Sequence, residues 1–281
     1  MSAYRFCRTD DIGLLVDALN RCWHPYFPDE GLVTAATFKR SIRDLQVWCS
    51  SCMVAFAGSD PIGVLIGAKR PSGTLIYRIA VHPDHLRQGH GRHLLDSLGS
   101  KLAILGPPRI VVEVPEALAH AAALFRAAGY VQDAVLTDYD RPGDGIEVPR
   151  MTGRFVIPVT VDDLTANGLL GENYPETCWE RSAETLLARK AEIEGLAVAS
   201  DERIEAYILY MKDAEVVALR SLIEDGGARL KLLLSLVLAA GSGTLRFPKV
   251  HPAEISEKLL ATLGFHPAGG HLLYSARAQS K

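Results

Sequence analysis

The chain has no run approaching the roughly 20 consecutive apolar residues that a membrane-spanning helix requires. No membrane partner is expected. It has no excess of positive charge either: 30 Lys and Arg stand against 33 Asp and Glu, a net charge of −3. The basic footprint of a nucleic-acid binder is therefore missing. Cysteine is sparse and odd in number, with five residues at Cys7, Cys22, Cys49, Cys52 and Cys178, which argues against a disulfide-stapled scaffold. Cys49-Ser50-Ser51-Cys52 has the spacing of a redox pair, yet it precedes a strand instead of sitting at a strand-to-helix turn. No second pair supplies the four ligands of a structural zinc site. Two partly buried thiols and no metal are the expectation. The opening Met1-Ser2-Ala3-Tyr4-Arg5 is not followed by the apolar core of a secretory leader, so the expected setting is reducing and cytoplasmic.

What the chain does have is length for about two domains, each with a core of its own: 281 residues, 48% of them hydrophobic. Its most informative stretch runs Ile79-Ala80-Val81-His82-Pro83-Asp84-His85-Leu86-Arg87-Gln88-Gly89-His90-Gly91-Arg92-His93-Leu94-Leu95. The order is an apolar strand, a loop closing in Gly-His-Gly, and a helix. Glycine lets the backbone turn tightly and approach a ligand closely. Amides from Gln88 to Arg92 then converge at the helix start, where free N–H groups and the positive end of the helix dipole suit a phosphate or pyrophosphate. Arg87 and Arg92 can add charge-assisted contacts. A dinucleotide fingerprint fails, because His93 and Leu94 follow where a third glycine is needed, and the Gly-Lys-Ser/Thr ending of a nucleotide-hydrolase loop is missing.

The whole string, Ile-Ala-Val-His-Pro-Asp followed by Arg-Gln-Gly-His-Gly-Arg, resembles the acetyl-coenzyme A motif of the GNAT superfamily of N-acetyltransferases. That resemblance implies acetyl-CoA as co-substrate. It implies that the amides of Gln88, Gly89, His90, Gly91 and Arg92 hold the cofactor pyrophosphate, with Arg87 beside them. It also implies that Ile79, Ala80 and Val81 pair through their backbone with the pantetheine arm. Leu86 departs from the family pattern, which has Gln or Arg there, so the resemblance does not extend to that side-chain contact.

Around this motif the periodicity predicts strands at Ala3–Cys7, Met53–Ala57, Ile62–Ala68, Thr74–Val81, Arg109–Val114 and Tyr130–Tyr139. Helices are predicted from a Thr9 start to Asn20, over Thr34–Leu45, along Leu94 to Leu102, and over Ala117–Ala128. Residues 21–33 form a loop dense in aromatic and acidic residues, where the aromatics cap the core or line a recognition surface. In GNAT enzymes this region lines the acceptor site, which makes Asp29 and Glu30 candidates to receive a cationic amine.

The second half repeats the plan. Asp162-Asp163-Leu164 opens a helix as Asp10-Asp11-Ile12 does, and Leu124, Gly129, Tyr130 and Tyr139 match Leu259, Gly264, Phe265 and Tyr274 at a constant offset of 135. The cofactor turn does not survive the repeat: the second copy reads Ile223-Glu224-Asp225-Gly226-Gly227, and its acids would repel a pyrophosphate.

Acetyl transfer to an amine needs a base, because an alkylammonium of pKa ~10.4 is almost wholly protonated at neutral pH. A backbone amide at Ile79 to Val81 is the candidate oxyanion contact. The resemblance implies a Glu on the cofactor strand and a Tyr four residues before the glycine ending the last helix, but Leu75 and Phe125 stand there, with Leu260 in the second copy. The remaining catalytic candidates are Tyr77, on the strand face of Leu75, and Glu113, which interrupts an apolar strand. A core tyrosine and a structurally bonded glutamate are the competing readings of those two. His82 and His120 are further titratable options, and a water relay stays open.

The expectation is an α+β (mixed α/β) chain of two tandem GNAT-like lobes, each a central, mostly antiparallel sheet flanked by helices. Residues 1–140 would be the acetyl-CoA-binding lobe, 141–153 a linker and 154–281 the degenerate copy. The expected activity is N-acetyl transfer to a small-molecule amine in the cytoplasm, with a homodimer left open. The alternative is a non-catalytic acyl-CoA sensor or dimerising module.

Overall fold

Turn chemistry at Gly58-Ser59-Asp60-Pro61 and Pro71-Ser72-Gly73 folds the early chain into an antiparallel meander. In the computed structural model, which describes residues 2–143, 155–171, 176–241 and 243–279, β1 (Ser2–Phe6) pairs with β2 (Met53–Ala57). Strand β2 pairs with β3 (Asp60–Arg70), and β3 with β4 (Gly73–Val81). Between β1 and β2 lie α1 (Ile12–Cys22) and α2 (Ala35–Leu45). Thr9 does not start α1. Asp11 accepts from the Arg8 amide and pairs with Arg5, so residues 8–11 form a turn ahead of the helix. The start of α2 does follow its sequence, with Thr34 and Thr37 forming a reciprocal capping box.

After β4 come α3 (His90–Leu105), β5 (Arg109–Pro115), α4 (Ala119–Ala127) and β6 (Val131–Arg141). Strands β4 and β5 are parallel but pair only at Thr74–Ile110 and Leu75–Val111, and beyond those positions they separate. Strand β4 also carries a bulge. Ile66 lies opposite Arg78 and Gly67 opposite Ile76, which leaves Tyr77 as the extra residue. Leu94, Leu95, Leu98 and Leu102 of α3 pack on Ile110, Val112, Val114 and Phe125 to form the core of this part.

The later chain runs β7 (Phe155–Pro158), α5 (Val161–Ala166), α6 (Ala183–Ala188), β8 (Ile193–Ala199), β9 (Ile204–Met211), β10 (Val216–Ser221), α7 (Ala228–Ala240), β11 (Leu245–Val250), α8 (Glu257–Thr262) and β12 (His266–Arg277). Strands β7, β8, β9 and β10 form an antiparallel sheet in sequence order. A parallel bridge from Glu215 to Arg246 repeats, in miniature, the brief pairing of β4 with β5. The apolar helix α7 buries Leu230, Leu233, Leu234 and Leu238 in a second core.

Two compact units result: residues 1–133 with 272–281, and residues 134–271. This division differs from the expected lobes of 1–140 and 154–281. The strand after α4 was expected to close the first lobe, yet from Ala134 onward β6 belongs to the second unit, and the end of β12 belongs to the first. Accordingly Tyr139 sits in the second core and Tyr274 in the first. The two strands are repeats of one another, so each carries the side-chain pattern that the other's place requires. Of the expected linker 141–153, Arg141 ends β6, and residues 144–153 lie outside the described residues. Both units combine antiparallel strands with packed helices, the α+β class expected from sequence. No helix among the described residues is long and apolar enough to cross a membrane.

Candidate functional site

The motif loop is shaped by two left-handed residues. Arg87 has φ 62° and Gly89 has φ 84°, the second of these at the N-cap of α3. The His93 amide bonds to the Gly89 carbonyl, while the amides of His90, Gly91 and Arg92 open the helix without a backbone acceptor among the described residues. Gly91 packs closely: a Cβ there would lie 3.1 Å from a Leu124 methyl, which would have to give way. Leu86, Arg87, Gln88 and Gly89 are exposed. Arg92 is not held over the turn. Its guanidinium donates to the Ala127 carbonyl at 2.9 Å, and Asp96 lies 3.7 Å away, so it ties α3 to the end of α4.

His90 has a role that sequence spacing did not reveal. Its ring is buried, with Nδ1 2.6 Å from the Tyr4 hydroxyl, and its Nε2 has no hydrogen-bond partner among the described residues. Burial, and then the neighbouring His85 and His93, hold its pKa below the ordinary histidine value, which keeps the imidazole neutral at neutral pH. Burial raises the Tyr4 pKa, so its hydroxyl keeps its proton. The His93 ring packs 3.8 Å from the Tyr4 ring. The first residue of α3 is thereby latched to β1.

On β4 the His82 amide donates to the Ile62 carbonyl, at 2.9 Å. Antiparallel alternation then directs the backbone groups of Ala80, opposite Val64, to β3, and turns those of Ile79 and Val81 toward the opening beside β5. Of the three residues expected to pair with a pantetheine arm, Ile79 and Val81 thus face the gap and Ala80 does not. The Val81 carbonyl already accepts from the Tyr26 hydroxyl at 2.7 Å, so the aromatic loop after α1 lies over this stretch.

The bulge changes the expected role of Tyr77. A strict two-residue period puts it on the face of Leu75 with Arg78 on the other side. Instead, Tyr77 and Arg78 line one cavity of about 70 Å³, together with Leu19, Val33, Thr37, Phe38, Ser41 and Ile66. Glu113 is half-buried on β5, two residues past Val111, as Tyr77 is two past Leu75. The two catalytic candidates therefore border the gap from its two strands. His82 accepts from the Asp84 amide and caps the strand-to-loop corner, His120 is exposed on α4, and Phe125 is fully buried in the core. Glu30 is engaged by Trp23 Nε1 at 3.1 Å and by Arg78 at 2.9 Å, and Asp29 is exposed in the same short turn. The five cysteines are buried and none is in a disulfide. Burial pushes the Cys7 thiol up to about 12 and the Cys22 thiol up to about 11, and raises Cys49 and Cys52 too, so none of these four is an activated thiolate.

The equivalent turn of the second unit is built alike and then filled from within. Gly227, at φ 85°, caps α7 as Gly89 caps α3. Asp225 accepts from the Gly227 amide at 2.9 Å and the Arg229 amide at 3.0 Å. It also pairs with the Arg229 guanidinium at 2.8 Å, which bonds Glu205 in turn. A carboxylate of the chain's own occupies the position where α3 leaves its amides open.

Residues 48–132 match the family model described as acetyltransferase (GNAT) domain. No curated protein matches the chain. Among solved structures, a tandem GNAT protein from the clavulanic acid biosynthesis pathway aligns with a TM-score of 0.66 at 15% identity, covering 100% of both chains. A GCN5-related N-acetyltransferase from Sphaerobacter thermophilus aligns with a TM-score of 0.69 at 14% identity, over 99% of this chain and 96% of that one. An acetyltransferase from Pyrococcus horikoshii gives 0.61 at 14%, over 99% and 90%. At these identities the likeness is one of fold.

Proposed function

We propose that this chain, which carries a GNAT acetyltransferase domain, binds acetyl-CoA in its first unit and moves the acetyl group to the amine of a small molecule. The contrast between two helix starts carries this reading. The amides of His90, Gly91 and Arg92 at the start of α3 have no acceptor among the described residues, whereas at the start of α7 Asp225 accepts from the amides of Gly227, Ala228 and Arg229. Amides from Gln88 to Arg92 would hold the pyrophosphate, and the backbone of Ile79 and the Val81 amide would pair with the pantetheine arm and meet the developing oxyanion. Glu113, through a water, would take the amine proton, and Tyr77 would protonate the leaving thiolate. Five buried cysteines, none in a disulfide, fit a reducing cytoplasmic setting.

Calorimetric titration and thermal shift with CoA and acetyl-CoA test the cofactor site, beside a Gly89→Glu, Gly91→Glu double variant. At ~100 times the dissociation constant the ligand should add about 2.7 kcal/mol of stability to the natural chain and none to the folded variant. Thiol release above the hydrolysis blank, over a panel of amines, then tests transfer. Tight binding without release on any amine would favour a non-catalytic acyl-CoA sensor. Leu75 and Phe125, which stand where the family has its acid and base, support that second reading.

A further inference from the structure

Arg78 is the cation at the candidate acceptor cavity, and the bulge at Tyr77 is what aims it there. Its guanidinium lies 4.9 Å from the Trp23 ring centroid and 5.2 Å from that of Tyr77. One amino group bonds Glu30 Oε2, which also accepts from Trp23 Nε1. Two aromatic faces and one carboxylate thus fix the plane of the fork. Five N–H donors sit on a guanidinium, and Glu30 takes only one of its nitrogens. Arg78 Nε, its second amino group and Glu30 Oε1 have no hydrogen-bond partner among the described residues. The pair is not sealed off: the Arg78 side chain is 19% exposed and that of Glu30 42%. It stands on β4 immediately before Ile79, whose backbone faces the gap.

We infer that the acceptor of the proposed reaction carries a carboxylate close to its amine, and that Arg78 receives that carboxylate. This rests on the acetyl-transfer reading above. The Arg78–Glu30 pair presents a fixed donor fork beside an unused carboxylate oxygen, the complement of a zwitterion such as an α-amino acid. A bidentate guanidinium–carboxylate contact supplies both strength and orientation. A cavity of about 70 Å³ accommodates a short side chain or the carboxylate itself, but not a bulky ring system. Arg78 is a specificity residue in this scheme, distinct from the groups that move protons.

The test compares matched acceptors: several α-amino acids, their carboxamides, and alkylamines of equal length. With the natural chain, the acids should show a KM at least tenfold below that of their amides. Arg78→Gln should raise the KM of the acids to that of the amides, with kcat changed much less and acetyl-CoA affinity unchanged. Arg78→Lys keeps the charge without the fork and should recover only part of the preference. Equal KM values for acids and amides in the natural chain would overturn the proposal, as would a preference that survives Arg78→Gln. Calorimetric binding of the same pairs to CoA-loaded protein reads the preference even where no turnover occurs, and equal affinities there overturn it too. A failure of acetyl-CoA to bind is seen separately, in the cofactor titration, and strikes the transfer reading rather than the role of Arg78.

Discussion

A single imidazole shows how a motif residue can act through its side chain when only its amide is read from the sequence. Gly89 and Gly91 were legible in Gly-His-Gly because a left-handed cap and a close helix contact both favour glycine. The side chain of His90 was not, since its partner Tyr4 lies 86 positions away on β1. Arg92 was misread for the same reason, its acceptor being the distant Ala127 carbonyl. The latch has a pH signature. The folded His90 has a pKa below its unfolded value, so the unfolded chain binds more protons in the window between the two. Its contribution is fully present above about pH 6.5 and is lost as the pH falls below that value. Urea unfolding should show stability declining below that pH in the natural chain, and the decline should shrink in a His90→Phe variant. A parallel decline in both chains would show that other groups cause it.

Elements were more legible than their irregularities. In the first half apolar periodicity located the helices and strands to within a few residues, because burial on one face is written directly into side-chain spacing. The bulge in β4 was not legible: nothing in Leu75-Ile76-Tyr77-Arg78-Ile79 marks the extra residue, which the register of β3 imposes. That one residue brings Arg78 beside Tyr77. The acidic character of the α7 turn was legible in Glu224 and Asp225, whereas the hold of the Asp225 carboxylate on the amides of Gly227 and Arg229 was not. Burial pushes the Asp225 carboxyl up, but the Arg229 guanidinium and the amides of Arg229 and Gly227 more than offset this and hold it below the usual carboxylate range. Its stabilisation is therefore present above about pH 3.9 and is lost as the pH falls through the folded value. At neutral pH Asp225→Ala should cost about 1 kcal/mol in urea unfolding, as for other lost caps. Asp225→Asn should flatten the acid limb of the stability profile. An unchanged acid limb would remove Asp225 from the account of this turn.

At the scale of the molecule, duplication could be read from the 135-residue offset, whereas the assignment of strands to units could not. Leu-Thr-Asp-Tyr, ending at Tyr139, and His-Leu-Leu-Tyr, ending at Tyr274, are equivalent stretches of the repeat, and sequence alone places each with the helix that precedes it. The folded chain places them the other way: Tyr274 is fully buried among Leu94, Phe125 and Tyr130 of the first core, and Tyr139 lies among Leu233, Phe247 and Phe265 of the second. Mutations at the end of the chain should therefore damage its beginning. Truncating a buried aromatic to alanine removes about 3–5 kcal/mol, and the loss is felt first where the cavity opens. Hydrogen exchange of Tyr274→Ala should show lost protection in β5 at Ile110 and Val112, along with weaker acetyl-CoA binding, while β8 and β9 keep theirs. Tyr139→Ala should do the reverse, opening β11 around Phe247 and leaving β5 protected. If each variant instead loosened the unit on its own side of residue 140, the strands would belong where the repeat first put them. In that case the first unit would close on the strand that directly follows α4.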